Sequence, residues 1–141
     1  VIFANELKTI EGKDLQVELC PILLQEKIEK KGDIRVTLVG DTVFSAFIDS
    51  QSTQETEIDW RKGTTILEHR KIDLPPNITE MCIQLLKRLN LRFGAIDFVL
   101  DSNSDYIFLE INPNGQWAWI EHRLGYDISG AIVNLLINEN F

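Results

Sequence analysis

FGAIDFVL at Phe93 to Leu100, DSNSD at Asp101 to Asp105 and YIFLEI at Tyr106 to Ile111 are the stretch on which the fold turns. The outer two are apolar and β-prone, each with a single acid inside, and the middle one has the composition of a turn. Together they read as an antiparallel hairpin. With Asn103 and Ser104 as its two tip residues, Asp97 falls opposite Glu110. Like charges that face each other across a ladder destabilise it, and a bound cation would resolve the conflict. Side-chain alternation puts Glu110 and Asn112 on one face and Ile107, Leu109 and Ile111 on the other, so two carboxylates and an amide oxygen cluster beside a hydrophobic layer. Hard oxygen donors of this kind suit Mg²⁺ or Mn²⁺ that keeps waters and phosphate oxygens as its other ligands. Spacing alone leaves a second reading open, in which the tip is one position out of register and Asp97 is a solvated edge residue.

Working outward, ILLQEKI at Ile22 to Ile28 reads as a buried strand. Ile34, Val36 and Leu38 alternate with Arg35, Thr37 and Val39 in a second strand, which turns at Gly40-Asp41 into a third from Val43 to Ile48. Asp49 to Gly63 is a polar loop interrupted by Trp60 and Arg61, and Ile66 to Leu74 is again extended. Pro75-Pro76 stops the chain, and a helix is expected from Asn77, with Glu80 completing a capping box. Ile78, Met81, Cys82, Leu85, Leu86 and Leu89 form its apolar stripe, which must pack on a sheet. Two further helices are expected over Trp117 to Leu124 and Ile128 to Ile137, the second with Ala131, Ile132, Leu135 and Leu136 on one side. The class is α+β: a largely antiparallel sheet packed against helices.

At 141 residues, with no repeat, linker or composition shift, the chain is expected to be one domain. Its net charge of -8 offers no bulk attraction to nucleic acid or anionic lipid. A mean hydropathy of -0.06 without a long apolar run argues against a membrane span. Cys20 and Cys82 stand in no metal-binding or paired spacing, which argues against zinc and for a reducing, cytoplasmic setting. The chain opens at Val1 inside strand-like sequence (Val1-Ile2-Phe3), so it is expected to be a piece of a longer polypeptide.

QEKIEKKGDIRVTLVG at Gln25 to Gly40, Ile58-Asp59-Trp60-Arg61, FGAIDFVL and FLEINPNGQWAWIE at Phe108 to Glu121 together resemble the ATP-grasp ligases, and most of all the microviridin-type maturases of ribosomal peptides, the graspetide ligases. The resemblance runs over nearly the whole chain in the same order. It implies that residues 1–141 are the C-terminal part of an ATP-grasp domain, without the N-terminal domain or the lysine-bearing ATP lid. It implies that Gln25, Glu26, Lys27 and Ile28 form the hinge whose backbone reads adenine, and that Asp33 accepts the ribose hydroxyls. It implies that Arg35 and Arg61 face the phosphates or the acyl phosphate, and that Asp97, Glu110 and Asn112 hold magnesium. The implied cofactors are ATP and Mg²⁺ or Mn²⁺. The implied reaction activates Asp or Glu carboxylates of a precursor peptide as acyl phosphates, which Ser/Thr hydroxyls or a Lys amine then attack to give ester or amide cross-links.

The resemblance also admits a homodimer of the full-length protein, and two other functions. One is a ligase that adds amino acids such as glutamate to a protein tail; the other is a non-catalytic nucleotide-binding or interaction module. Without the lid, the isolated chain is expected to be inactive and to bind ATP at millimolar concentration or weaker, at most roughly 4 kcal/mol. No Ser-His-Asp or Cys-His arrangement is evident, in keeping with chemistry that needs no protein nucleophile. Trp117 and Trp119 could wall a nucleotide or fill the core, and core filling is favoured because aromatics dominate buried area. His69 and His122 lack metal-ligand company and read as structural or exposed; Cys20 and Cys82 read as inert core residues.

Overall fold

A computed structural model describes residues 4–7, 23–63 and 67–138. Val1 to Phe3 and Cys20, singled out in the sequence, lie outside the described residues. Five antiparallel strands form one sheet in the order β3-β2-β1-β4-β5. They are β1 (Lys30–Val39), β2 (Thr42–Ile48), β3 (His69–Lys71), β4 (Phe93–Asp101) and β5 (Tyr106–Asn112). Three α-helices accompany them, α1 (Pro76–Arg88), α2 (Ala118–Leu124) and α3 (Ile128–Asn138). The α+β class and the antiparallel sheet are those expected.

The central strands owe their burial to helices on both faces. Ile34, Val36, Leu38, Ile96 and Phe98 pack with Cys82 and Leu86 of α1 on one side. Val39 and Ala46 pack with Ile120 of α2 and Ile128 of α3 on the other. Arg35, Thr37 and Val39, which alternate with the first set along β1, are therefore buried as well. A tight turn at Gly40, whose φ of 58° is left-handed, joins β1 to β2.

Several expectations are corrected. Residues 23–28 form no strand; Leu23 is 83% exposed, because no described strand offers this run a ladder partner. Extended pairing between β2 and the following segment is confined to His69–Lys71, with Ile66 outside the described residues. α1 starts at Pro76 with Pro75 as its N-cap and no side-chain cap, so the capping box does not form. Proline at the first helical position needs none of the bonds such a box supplies at that point, since its φ is preset and it has no N–H. Met81, Leu89 and Leu136 point outward from stripes that their spacing placed inward.

The hairpin differs most instructively. The tip is a three-residue loop, Ser102 to Ser104, in which Ser104 has a φ of 72° and the Asp101 N–H donates to the Asp105 carbonyl at 3.0 Å. Leu100 accordingly faces Tyr106, Val99 faces Ile107 and Phe98 faces Phe108. A β-bulge at Leu109 then inserts one extra residue, after which Asp97 faces Glu110, Ile96 faces Ile111 and Ala95 faces Asn112. The expected two-residue tip is wrong by one position, and the bulge restores the expected pairing. Ile107 consequently lies on the side of Val99 and Asp97, opposite to the side occupied by Ile111.

Candidate active site

Asp97 on β4 has Arg35 of β1 as its cross-strand partner on one side and Glu110 of β5 on the other. All three share the sheet face that carries α2 and α3, since Arg35 also pairs with Ala46 of the second core. Arg35 Nη1 donates to both oxygens of Asp97, at 2.8 and 2.6 Å, and Nη2 donates to the Gln116 carbonyl at 3.3 Å. With side chains only 10% and 16% exposed, this is a nearly desolvated ion pair. Burial pushes the Asp97 carboxyl above its ordinary value and Glu110 adds to that, while Arg35 and Arg61 oppose it. Arg35 Nε is buried without a hydrogen-bond partner among the described residues, as is Thr37 Oγ1 two residues along the strand.

Asn112 ends β5 and turns the chain. Its Oδ1 accepts from the Asn114 N–H at 2.9 Å, and its carbonyl accepts from the Gly115 N–H at 3.2 Å. Gly115 sits so close to the sheet that a Cβ on it would lie 2.3 Å from that of Ala95, the strand partner of Asn112, and 3.2 Å from Arg35 Nη2. The turn after β5 is thus folded tightly onto the site.

Arg61 arrives from the long connection between β2 and β3, in a 3₁₀ turn over Trp60–Lys62. Asp59 caps that turn and grips the guanidinium in a fork, Nε to Oδ1 at 2.8 Å and Nη2 to Oδ2 at 2.9 Å. The Asp59 bond raises the pKa of Arg61 first, against partial burial, and Asp97 and Glu110 act in the same direction from across the site. Trp60 packs against Trp119 of α2 at 5.3 Å between ring centroids and edge-on to His69 of β3 at 6.4 Å.

Asp33, at the start of β1, is buried and bound by Lys30 Nζ at 2.7 Å, which also reaches the Ile58 carbonyl at 3.5 Å. Gln25 and Glu26 are exposed. Lys27 lies among Glu6, Glu29 and Glu57 at 3.4, 3.8 and 3.7 Å, and the Glu6 hydrogen bond raises its amine's pKa. Ile28 is half-buried. The structure therefore places Arg35, Asp97, Glu110 and Asn112 on one face of the sheet, with Arg61 within electrostatic reach of Asp97 and Glu110, and Asp33 further along β1; residues 25–28 lead into that strand.

Lys30, Asp59, Gly115 and Gln116 were not singled out from the sequence. Asp59, two residues before Arg61, and Lys30, three before Asp33, were legible only as spacings that let a counter-ion reach. Trp117 and Trp119 are half-buried against the second core, as the core-filling reading holds. His69 is half-buried among aromatics, His122 is exposed, and burial pushes the Cys82 thiol up to about 11.

Residues 3–136 match the RimK-like ATP-grasp domain. The chain belongs to that family. A probable alpha-L-glutamate ligase of Trichodesmium erythraeum is 30% identical over 116 residues, covering 81% of this chain and 38% of the relative. A RiPP-associated ATP-grasp ligase of Chryseobacterium gregarium, solved with ADP and a leader and core peptide, superposes with a TM-score of 0.86. It is 32% identical, covering 99% of this chain and 43% of that one. The macrocyclase MdnC of Microcystis aeruginosa, solved with precursor peptide MdnA, gives 0.77 at 36% identity, covering 92% and 42%. The chain thus spans about two-fifths of the length of these proteins.

The ATP-grasp fold binds ATP, and the donor set of this chain fits the divalent ion that accompanies nucleotide. Asp97 and Glu110 are carboxylates on adjacent strands with an amide, Asn112, two residues on. Among the described residues no group of three His, Cys, Asp or Glu forms a cage able to hold a metal, and a site of two carboxylates and one amide needs ligands from phosphate and water to complete it. Asn112 Oδ1 keeps a second lone pair beyond the one given to its own turn. No helix among the described residues is long and apolar enough to cross a membrane.

Proposed function

We propose that residues 1–141 form the C-terminal part of an ATP-grasp ligase that activates Asp or Glu side-chain carboxylates of a ribosomal precursor peptide as acyl phosphates. The peptide oxygen attacks the γ-phosphorus and ADP leaves. A Ser/Thr hydroxyl or Lys amine then attacks the acyl carbon, losing its proton and releasing phosphate, to close an ester or amide. The observation that supports this reading is the pairing of Asp97 with Glu110 in the ladder, flanked by Arg35 and with Arg61 across the site.

Asp97, Glu110 and Asn112 would hold Mg²⁺ or Mn²⁺, which when bound masks phosphate charge and stabilises the charge of the transition state. Arg35 and Arg61 supply fixed cations whose hydrogen bonds are directional, so they orient the transferring group as well as screen it. Asp33 gives Lys30 one oxygen and has its other for a ribose hydroxyl. The backbone of residues 25–28 reads adenine. The full-length protein works in the cytoplasm and is compatible with a homodimer.

In the complete natural protein with Mg-ATP and its precursor peptide, the peptide should lose the mass of one water per bond. Glu110→Ala should abolish this while leaving peptide binding largely intact, because a lost metal ligand affects phosphoryl transfer first. Retained turnover in that variant would refute the metal role. The sequence relatives named probable alpha-L-glutamate ligases favour a second reading, addition of glutamate to a protein tail; a mass gain of one glutamyl residue per cycle would select it.

A further inference from the structure

Arg35 and Arg61 are held by different kinds of carboxylate. Asp97, which holds Arg35, lies in the metal-binding group, so its charge has two claimants. Asp59, which holds Arg61, stands outside that group. Its side chain is only 4% exposed, against 45% for the arginine it grips.

Four N–H groups converge on this one carboxylate. Oδ1 accepts from the Arg61 peptide N–H at 3.1 Å and from Arg61 Nε at 2.8 Å; Oδ2 accepts from Nη2 at 2.9 Å and from the Ala4 N–H at 3.1 Å. The carboxyl is held below its ordinary value, the opposing pull of burial being overcome by these bonds. The fork uses one edge of the guanidinium and leaves Nη1 outside it. The turn itself is anchored separately, by Trp60 against Trp119 and by Lys62 Nζ on Asn5 Oδ1 at 2.7 Å. A long arginine side chain ordinarily samples many rotamers. Here backbone and head group are tied to the same two oxygens, which fixes the guanidinium relative to Glu110 and Asp97.

We propose that Asp59 is the positioning residue of the phosphoryl site, orienting Arg61 toward the terminal phosphate of the nucleotide. The proposal rests on the reading of Arg61 given above. It assigns the carboxylate a role that a turn cap alone would not need, since the cap uses only the peptide N–H while the fork commits both oxygens to the side chain.

The test compares affinities for Mg-AMPPNP and Mg-ADP by calorimetry on the complete natural protein, so that no peptide is needed. Arg61→Ala should cut the preference for the triphosphate about tenfold, the size of one charge-assisted hydrogen bond. Asp59→Asn should lower the same ratio by several-fold, and the double variant should be no worse than Arg61→Ala, because Asp59 acts through Arg61. A purely structural role would weaken both nucleotides equally and leave the ratio alone. Asp59→Glu, which keeps the charge but moves it by one methylene, is the second variant in case the amide fails to fold, and should show the same loss. An unchanged ratio in a folded Asp59 variant, or losses that multiply in the double variant, overturns the proposal alone. An unchanged ratio in Arg61→Ala removes the arginine reading and the proposal with it.

Discussion

His69 sits where three elements meet, on β3 beneath the Trp60 turn and against α2. Its Nδ1–H donates to the Leu67 carbonyl at 2.7 Å, its ring packs edge-on to Trp119 at 5.2 Å, and Arg123 lies at 3.2 Å. Burial lowers its pKa below 6.5, and Arg123 lowers it further against the Leu67 bond. Folding thus favours the neutral ring. Its contribution to stability is full above the ordinary histidine value and is lost as pH falls through that value toward the folded one. Urea midpoints measured from about pH 8 to about pH 5 should fall less steeply for His69→Gln than for the unchanged protein. Equal slopes would mean that His69 is not neutralised by folding. Composition marked this histidine as structural because no metal-ligand spacing surrounds it. Its aromatic surroundings were illegible, since they come from segments far apart in sequence.

At the level of elements, the turn after β5 connects strand register to site geometry. Gly115 lies against Ala95, the partner of Asn112, so Gly115→Ala must push the turn away from β4 and away from Arg35. A loss of about 1–3 kcal/mol in chemical denaturation is expected, as for other overpacked positions. Ala95→Gly in the same chain removes the opposing methyl and should restore most of it; a double variant no better than Gly115→Ala would show that the contact with Ala95 is not the cause. The strands of this region were readable from alternating apolar residues and turn composition. The Leu109 bulge was not, because a bulge changes which residues pair without changing composition. Residues 23–28 failed in the opposite way. Their apolar run carried a strand signal, but a strand needs a ladder neighbour, and sequence cannot say that none stands beside this run among the described residues.

Across the whole molecule, charge governs how the proposed site would receive nucleotide. Lys30 is paired with Asp33, Arg35 with Asp97 and Arg61 with Asp59, while Glu110 adds a further negative group to a chain of net charge -8. On the proposed reading of these residues as the nucleotide site, its cations are already neutralised and free ATP is repelled. The 141-residue chain should therefore bind ATP only with a divalent ion, at millimolar concentration or weaker, and chelation with EDTA should abolish the calorimetric signal. Binding of metal-free ATP would contradict this electrostatic account. The same sheet also has a history in synthesis. Its central strand, β1, pairs first with its sequence neighbour β2, whereas Asp97 lies 62 residues beyond Arg35. At ribosomal speeds of about 5–20 residues per second, β1 waits roughly 3–12 s for β4 to emerge. Throughout that interval the newborn hairpin shows an unpaired strand edge and an uncompensated arginine, so edge-to-edge association is blocked only once β4 arrives.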